Sequence, residues 1–338
     1  MRAYVVPRES TGIEQLRRVD LPEPRPPGPG QVTVRVRAAS LNYRDQAVAA
    51  GRYIGGALSR DTVPLSDGAG EVIAVGPGVS RVKLGDRVAG TFMQVDPSGP
   101  PGGVVTTLGS PLDGMLAEQI VLYESGVVPL PEGYGFEEAA TLPCAGVTAW
   151  HALMIAGRPL RPGDTVLVLG TGGVAIFALQ FARAAGARVI ATSSSDAKLA
   201  RLVPLGVREG DTINYRRTPE WDQEVLRLTG GRGVDVVVET AGTGTLNRSI
   251  GALATGGKVG LVGVLASGES NPYLLMRKQA SLHGIFVGDR TMFEQMIAAI
   301  NVNRIRPIID QVFAFEEAVA AYRHQLSGAF IGKLVIRL

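Results

Sequence analysis

The stretch Val166-Leu167-Val168-Leu169-Gly170-Thr171-Gly172-Gly173-Val174-Ala175 decides how the chain folds. Four apolar β-formers run straight into glycines, and helically spaced apolar residues follow as far as Arg183. That order predicts a strand, a tight turn and a helix start, the layout that cradles a dinucleotide pyrophosphate. Gly170 permits the turn, Gly172 lets the backbone approach phosphates, and Ala175 stands where only a small side chain allows close helix–strand packing. The helix start offers unpaired N–H groups and a positive dipole end to an anion. A glycine-rich turn is also a common structural connection, so the flanking strand and helix carry the inference.

Outward from this stretch the pattern repeats. Strands are predicted at 165–169, 188–192, 212–214, 234–239, 258–262 and 281–287. Helices are predicted between them at 174–185, 196–205, 220–229 and 245–253. Six strands separated by helices make a doubly wound parallel sheet, whose right-handed crossovers gather the glycine turns at one carboxyl edge. Upstream, residues 31–38 alternate apolar and polar, 70–76 read as another strand, and Gly/Pro turns recur, which predicts a barrel-like β domain. Helical spacing begins at Phe136, is expected to break at Pro143, and resumes over 148–155. Two further helices are predicted at 292–300 and 313–325. A last strand, 332–338, is expected to return to the first domain. The expected division is 1–144 completed by 289–338, and 145–288. Residues 94–114, rich in Gly, Pro, Ser and Thr, read as a flexible surface loop, either a plain connector or a lid.

Composition narrows the class. A chain of 338 residues is too long for one ordinary core, and 45% apolar content fits a packed α/β protein. The net charge is only +3 with no run of basic residues, which argues against a nucleic-acid groove. Cys144 is the single cysteine, so neither an intramolecular disulfide nor a four-cysteine zinc site can form. No leader pattern opens the chain and no stretch suits a membrane span, so a cytoplasmic location is expected.

The order of these elements resembles the medium-chain dehydrogenase/reductase superfamily over nearly the whole chain. The resemblance rests on Ala39-Ser40-Leu41-Asn42-Tyr43-Arg44-Asp45, on Asp67-Gly68-Ala69-Gly70-Glu71-Val72 with Gly85-Asp86-Arg87-Val88, and on Thr141-Leu142-Pro143-Cys144-Ala145-Gly146-Val147-Thr148-Ala149. Gly170 to Ala175, Gly233-Val234-Asp235-Val236-Val237 and Gly332-Lys333-Leu334-Val335-Ile336 complete it. It implies a six-stranded parallel Rossmann sheet beside a β-rich, GroES-like, partly open barrel. Zinc-using members carry a Cys where Asn42 stands and a Gly-His-Glu where Ser66-Asp67-Gly68 stands. One thiol with scattered carboxylates cannot supply three zinc ligands, so the chain is similar to the zinc-free branch, near quinone oxidoreductases and enoyl-type reductases.

The second predicted strand ends at Ser193 rather than at the Asp or Glu that binds a ribose 2′-hydroxyl. A serine hydroxyl donates to a 2′-phosphate where a carboxylate would repel it, and Lys198 lies one helical turn on. NADPH is therefore expected over NADH. Asp196 either caps the helix or, with a rotated loop, turns to the ribose. The resemblance places Thr148, Gly170, Thr171, Gly172, Gly173, Val174, Ser193, Ser194, Lys198, Tyr215, Ala241, Gly263, Val264, Phe286, Val287 and Gly288 along the cofactor. Lys333 is either a cofactor-approaching lysine or a solvated one.

Hydride transfer needs a donor to the oxygen that gains charge and a source of protons. By resemblance Asn42 donates through its amide, while Tyr43 either donates its phenolic hydrogen or packs against the cofactor. Ser66 and Cys144 are expected to line the substrate, Cys144 as a packing residue rather than a nucleophile. Asp45 is expected to order its loop through backbone N–H bonds. His151, His283 and His324 read as structural. The expected activity is zinc-independent hydride transfer between NADPH and a quinone, an α,β-unsaturated carbonyl or a small ketone or aldehyde. An NAD(P)-dependent alcohol dehydrogenase and a non-catalytic NADPH-binding protein are the alternatives. The strand at 281–287 lies at a sheet edge, where the resemblance implies a homodimer.

Overall fold

The alternating run that opens at Gln31 becomes a ten-residue strand, and the first part of the chain is built around it. The computed structural model describes residues 1–53, 57–95, 106–263 and 265–338. Their first nine strands are β1 (Arg2–Val5), β2 (Arg17–Asp20), β3 (Gln31–Ser40), β4 (Asp67–Val75), β5 (Arg87–Gly90), β6 (Met93–Gln94), β7 (Thr106–Thr107), β8 (Gln119–Tyr123) and β9 (Val127–Pro129). Strand β3 pairs antiparallel with β4 and β8, and its Val32, Val34 and Val36 are buried while Arg35 is exposed. Three short helices belong to this stretch, α1 (Tyr43–Ala49), α2 (Phe136–Ala139) and α3 (Val147–Trp150). Pro143 does not break the helical run. It sits at the start of a π-helical turn, Leu142–Gly146, where its missing N–H costs nothing, and a second π turn, His151–Ile155, follows α3.

Six parallel strands come next: β10 (Thr165–Leu169), β11 (Arg188–Ser193), β12 (Thr212–Asn214), β13 (Val234–Glu239), β14 (Leu253–Leu261) and β15 (Ser281–Gly284). They stand in the order β12-β11-β10-β13-β14-β15, so the direction of strand addition reverses between β10 and β13. Ligands bind beyond the carboxyl ends at such a reversal. The helices between and after them are α4 (Gly173–Ala184), α5 (Asp196–Ala200), α6 (Trp221–Leu228), α7 (Thr243–Gly251) and α8 (Tyr273–Lys278). Helix α5 stops well short of the expected 205, because Pro204 disfavours helical backbone at Val203 and cannot extend the ladder.

After α9 (Arg290–Asn303), strand β16 (Ile309–Ala314) takes in Phe313 and Ala314, the first two residues of the helix read from sequence over 313–325; the helix proper is α10 (Ala318–Ser327). The reason is tertiary. Strand β17 (Lys333–Arg337) pairs in parallel with β16 and antiparallel with β3, giving β16 a ladder that no local pattern announces. The chain divides into two units, 1–147 with 288–338, and 148–287. The first packs around Val34, Leu116, Tyr322, Leu334 and Ile336; the second around Leu167, Ile190, Val237, Ile250 and Val259.

Residues 54–56 lie outside the described residues, as do 96–105, within the stretch read as a connector or lid, and Val264, read as a cofactor contact. The described end of the 94–114 stretch is not a loose loop. Buried Arg44 donates to Leu108 O at 2.7 Å and Ser110 O at 3.2 Å, and Gly114 N–H donates to Val63 O. Its guanidinium also lies over the rings of Tyr53 and Phe92, at 4.3 and 4.8 Å from their centres. A buried cation needs acceptors, and these carbonyls supply them. Among the described residues no helix is long and apolar enough to cross a membrane.

Candidate active site

In the first unit, the end of β3, the start of α1, the start of β4, the Leu142–Gly146 turn and the start of β17 converge on one buried polar cluster. Asn42 stands at the N-cap of α1. Its own N–H donates to Asp45 Oδ2 at 2.7 Å, so Asp45 orders the helix start as its position suggests. The Asn42 carboxamide turns away from the helix. Lys333 Nζ donates to Asn42 Oδ1 at 2.6 Å and to Leu41 O at 2.5 Å. An ammonium only donates, so the amide oxygen must face Lys333 and Nδ2 must face the other way, toward Ser66 Oγ at 3.4 Å. Ser66 in turn donates to Asp67 Oδ1 at 2.8 Å, and Cys144 N–H donates to Asp67 Oδ2 at 3.1 Å. Lys333 Nζ lies 4.0 Å from that same oxygen.

Two expectations are corrected here. Lys333 is only 3% exposed, so it is not a solvated lysine, and its ammonium is directed into the Asn42 cluster. Ser66, expected to line a substrate, has no exposed surface at all; its hydroxyl is committed to Asp67. The cluster buries two cations, Arg44 and Lys333, with two carboxylates, Asp45 and Asp67, so its charges balance. Burial pushes the Asp67 carboxyl up, against the pull of Lys333. Burial, reinforced by the Asp67 charge, pushes the Cys144 thiol up as well, which keeps it protonated and unsuited to nucleophilic attack. Tyr43, the first residue of α1, is 57% exposed beside this cluster.

Asp45 carries a pH consequence. Burial pushes its carboxyl up to about 6, only partly offset by Arg44, and Asp45 Oδ1 has no hydrogen-bond partner. Between about pH 4 and 6 the folded carboxyl holds a proton that the unfolded chain has lost. This stabilising contribution is complete below the unfolded value and disappears as pH rises through 6. Asp45→Asn lacks it. The wild type is therefore expected to lose on the order of 2 kcal/mol relative to this variant between about pH 4 and 7. Parallel thermal melts across that range check it; a pH-independent difference would count against it.

In the second unit the turn after β10 has the expected form. Gly170 has φ of +79°, a conformation that disfavours a side chain. A Cβ built on Gly170 or Gly172 would meet nothing within 4 Å, so the turn leaves open space in front of the twelve-residue α4. Thr171, Gly173 and Val174 share that turn and helix start. Thr240 Oγ donates to Leu169 O at 2.6 Å, tying the neighbouring carboxyl ends together. Gly263 approaches the segment after β13 so closely that a Cβ would lie 2.0 Å from Thr240 O.

Sequence reasoning missed Glu239, the last residue of β13. It is wholly buried, and its Oε1 accepts the N–H groups of Ala241 at 2.8 Å and Gly242 at 3.0 Å. Its Oε2 accepts from Ser249 Oγ at 2.5 Å. A carboxylate ending a largely apolar run was the available signal. Glu239 thus fastens the turn through Ala241 to α7. His151 is structural in a specific way. Its Nδ1 lies 2.7 Å from Val287 O, holding a β-branched residue at φ of +51°. Such backbone costs of order 1–3 kcal/mol and persists only where neighbours impose it. Phe286 beside it is half exposed, while Thr148 is buried on α3. Gly288 opens the segment that returns to the first unit, where a Cβ would strike Val147 and Met292.

At the ends of β11 and β12, Ser193 Oγ accepts from Ser195 N–H, and Ser195, not Asp196, caps α5. The Asp196 carboxylate is paired with Arg217 and accepts from Asn214 Nδ2 at 2.7 Å. Ser194 follows the end of β11, Lys198 lies within α5, and the exposed Tyr215 follows the end of β12.

Residues 28–132 match the family described as alcohol dehydrogenase GroES-like domain, and residues 173–301 match the zinc-binding dehydrogenase family. The zinc-type alcohol dehydrogenase-like protein of Schizosaccharomyces pombe is 42% identical over 344 residues, covering 99% of each chain. The chain belongs to the medium-chain dehydrogenase/reductase superfamily. It is accordingly an NAD(P)-dependent oxidoreductase, with the Rossmann sheet and GroES-like β unit of that superfamily. Among solved structures, an NAD-dependent alcohol dehydrogenase superposes with a TM-score of 0.90 at 34% identity, over 100% of both chains. A quinone oxidoreductase of Pseudomonas syringae pv. Tomato DC3000 superposes at 0.84 with 28% identity, again over 100% of both.

Proposed function

We propose that this superfamily member transfers hydride, without zinc, between NADPH and a quinone, an α,β-unsaturated carbonyl or a small ketone or aldehyde. The observation that carries the reading is the Lys333 ammonium inside the Asn42 cluster. It already occupies the amide oxygen of Asn42. A dication placed there would meet a buried cation, with Asp67 already compensated by Lys333 and Cys144 held as a thiol. Among the described residues no three His, Cys, Asp or Glu side chains gather as a metal site needs. These residues do not fit zinc.

For the nucleotide the residues fit. The open turn at Gly170–Gly173 and the start of α4 would hold the pyrophosphate, and Ala241, Gly263, Phe286 and Val287 would line the ribose and ring. When bound, the reduced nicotinamide supplies the hydride. Ser193, Ser194, Lys198 and Tyr215 would surround a 2′-phosphate, and the pairing of Asp196 with Arg217 cancels the carboxylate that would otherwise repel it. Asn42 Nδ2 donates to the substrate oxygen as it gains charge, Tyr43 donates or packs beside it, and solvent water returns the proton.

Initial rates with NADPH and NADH against enones, quinones and ketones, before and after chelation, test the reading. We expect at least roughly tenfold higher kcat/KM with NADPH, from charge-assisted contacts worth about 1.5 kcal/mol, and no loss on chelation. Stoichiometric zinc whose removal abolishes turnover would overturn it. The NAD-dependent alcohol dehydrogenase that shares the fold supports a second reading, alcohol oxidation with NAD, which equal or better rates with NAD would favour.

The chain is also proposed to act in the cytoplasm as a homodimer through β15. That strand is the sheet edge, and Leu282 on it and Phe286 just beyond it are exposed. Light scattering after gel filtration is expected to give twice the chain mass for the wild type and one chain mass for Leu282→Lys. A monomeric wild type would end this proposal.

A further inference from the structure

The Asn42 amide is polarised from behind. Its oxygen accepts a 2.6 Å hydrogen bond from an ammonium that is almost wholly buried and shares its environment with Asp67 rather than with water. In such surroundings a cation acts over short range with little screening, and a hydrogen bond to a carbonyl oxygen strengthens the donors on the same amide. The second contact of Lys333, to Leu41 O at 2.5 Å, fixes the ammonium against the backbone that leads into Asn42. The amide therefore cannot rotate by half a turn without setting its own N–H groups against a cation. Ser66 takes one Nδ2 hydrogen, at a long 3.4 Å, and the Asp67 carboxylate is a second hydrogen-bond partner of the same side chain, so a substrate oxygen must compete with them for Nδ2–H.

We propose that Lys333 is a positioning residue for hydride transfer: its buried ammonium fixes the Asn42 carboxamide with the oxygen on Nζ and drives charge onto Nδ2–H, the donor that the proposed function assigns to the substrate oxygen. Lys333 touches neither substrate nor cofactor in this role. Its cation lends electrostatic stabilisation through an amide rather than by direct contact. No bond to Lys333 is made or broken, and its proton stays on Nζ. The inference rests on the reading of Asn42 as the donor, but it fails separately from it.

A double-mutant cycle decides between acting through Asn42 and merely supporting the fold. The wild type, Lys333→Met, Asn42→Ala and the double variant are assayed with NADPH and an enone, with NADPH binding measured by fluorescence. Lys333→Met is expected to lower kcat by roughly 10- to 100-fold, within the range for weakening one preorganised donor. Both KM values and NADPH binding should change less than about threefold, since uniform binding is untouched. In the Asn42→Ala background the same substitution should cost almost nothing more. Lys333→Arg should restore part of the rate. Lys333→Gln, which keeps a donor and loses the charge, serves where Lys333→Met does not fold, and is expected to resemble it in kcat. Independent, multiplying losses in the cycle, or a Lys333→Gln enzyme with wild-type kcat, would overturn the proposal. Full activity in Asn42→Ala would instead remove the underlying assignment of Asn42.

Discussion

Replacing Asn42 with alanine is expected to lower kcat by roughly 10²- to 10³-fold, the loss seen when one preorganised donor to a developing oxyanion is removed. Binding of NADPH should be little changed, because the turn that would hold the pyrophosphate lies between β10 and α4 and Asn42 is not part of it. The side chain is not a simple helix cap, since Asp45 takes the Asn42 N–H and the carboxamide faces Lys333 and Ser66. Loss of capping therefore contributes little to the cost. Asn42→Asp should be at least as damaging: a carboxylate would pair with Lys333 but present no donor to the substrate. Steady-state rates with an enone or quinone, beside single-turnover rates at saturating NADPH, separate chemistry from binding. A variant that keeps more than about half the wild-type kcat would mean that another group stabilises the oxygen.

The second large effect is expected at Glu239. Glu239→Leu fills similar space but leaves the N–H groups of Ala241 and Gly242 without their acceptor and frees Ser249 Oγ. Losing hydrogen bonds to a charged acceptor, with two donors left unpaired, costs about 3 kcal/mol after allowing for the relief of burying a charge. For a unit of this size that corresponds to a fall of roughly 6–12 °C in melting temperature. NADPH binding should weaken roughly tenfold or more, because the turn through Ala241 loses its fastening to α7. Glu239→Gln retains one oxygen and should show about half the thermal effect. Calorimetry with and without NADPH measures both consequences. A shift within about 2 °C would show that Glu239 is dispensable to the turn.

The two residues differ in how visible they are along the chain. Asn42 is marked by its neighbours, since the run Ala39 to Asp45 carries the resemblance that draws attention to it. Glu239 ends a run of mostly apolar residues and looks like the first polar residue of a loop, yet it is wholly buried. Lys333 presents the same difficulty in another form. A lysine after a glycine near a chain end reads as a cofactor contact or a solvated group, and only the pairing of β17 with β3 carries it inside. The early start expected for α10 has a similar origin: β16 exists because β17 lies beside it. Asp196 is ambiguous along the chain, and Arg217 and Asn214 around its carboxylate decide its role.

By itself the sequence determined the strand, turn and helix of 165–184, the alternation that makes a parallel sheet, and a residue inventory with one cysteine and few histidines. Those properties depend on hydrogen bonds and side-chain periodicities that span only a few residues, so they are written locally. The tertiary structure alone decided the charge environment of the site. Lys333 and Asn42 are 291 residues apart, and the ammonium meets the amide only because two strands pair antiparallel over that distance. Whether a charged side chain is solvated, paired or buried depends on what the rest of the chain packs against it, and in this enzyme that packing makes a lysine the partner of an asparagine.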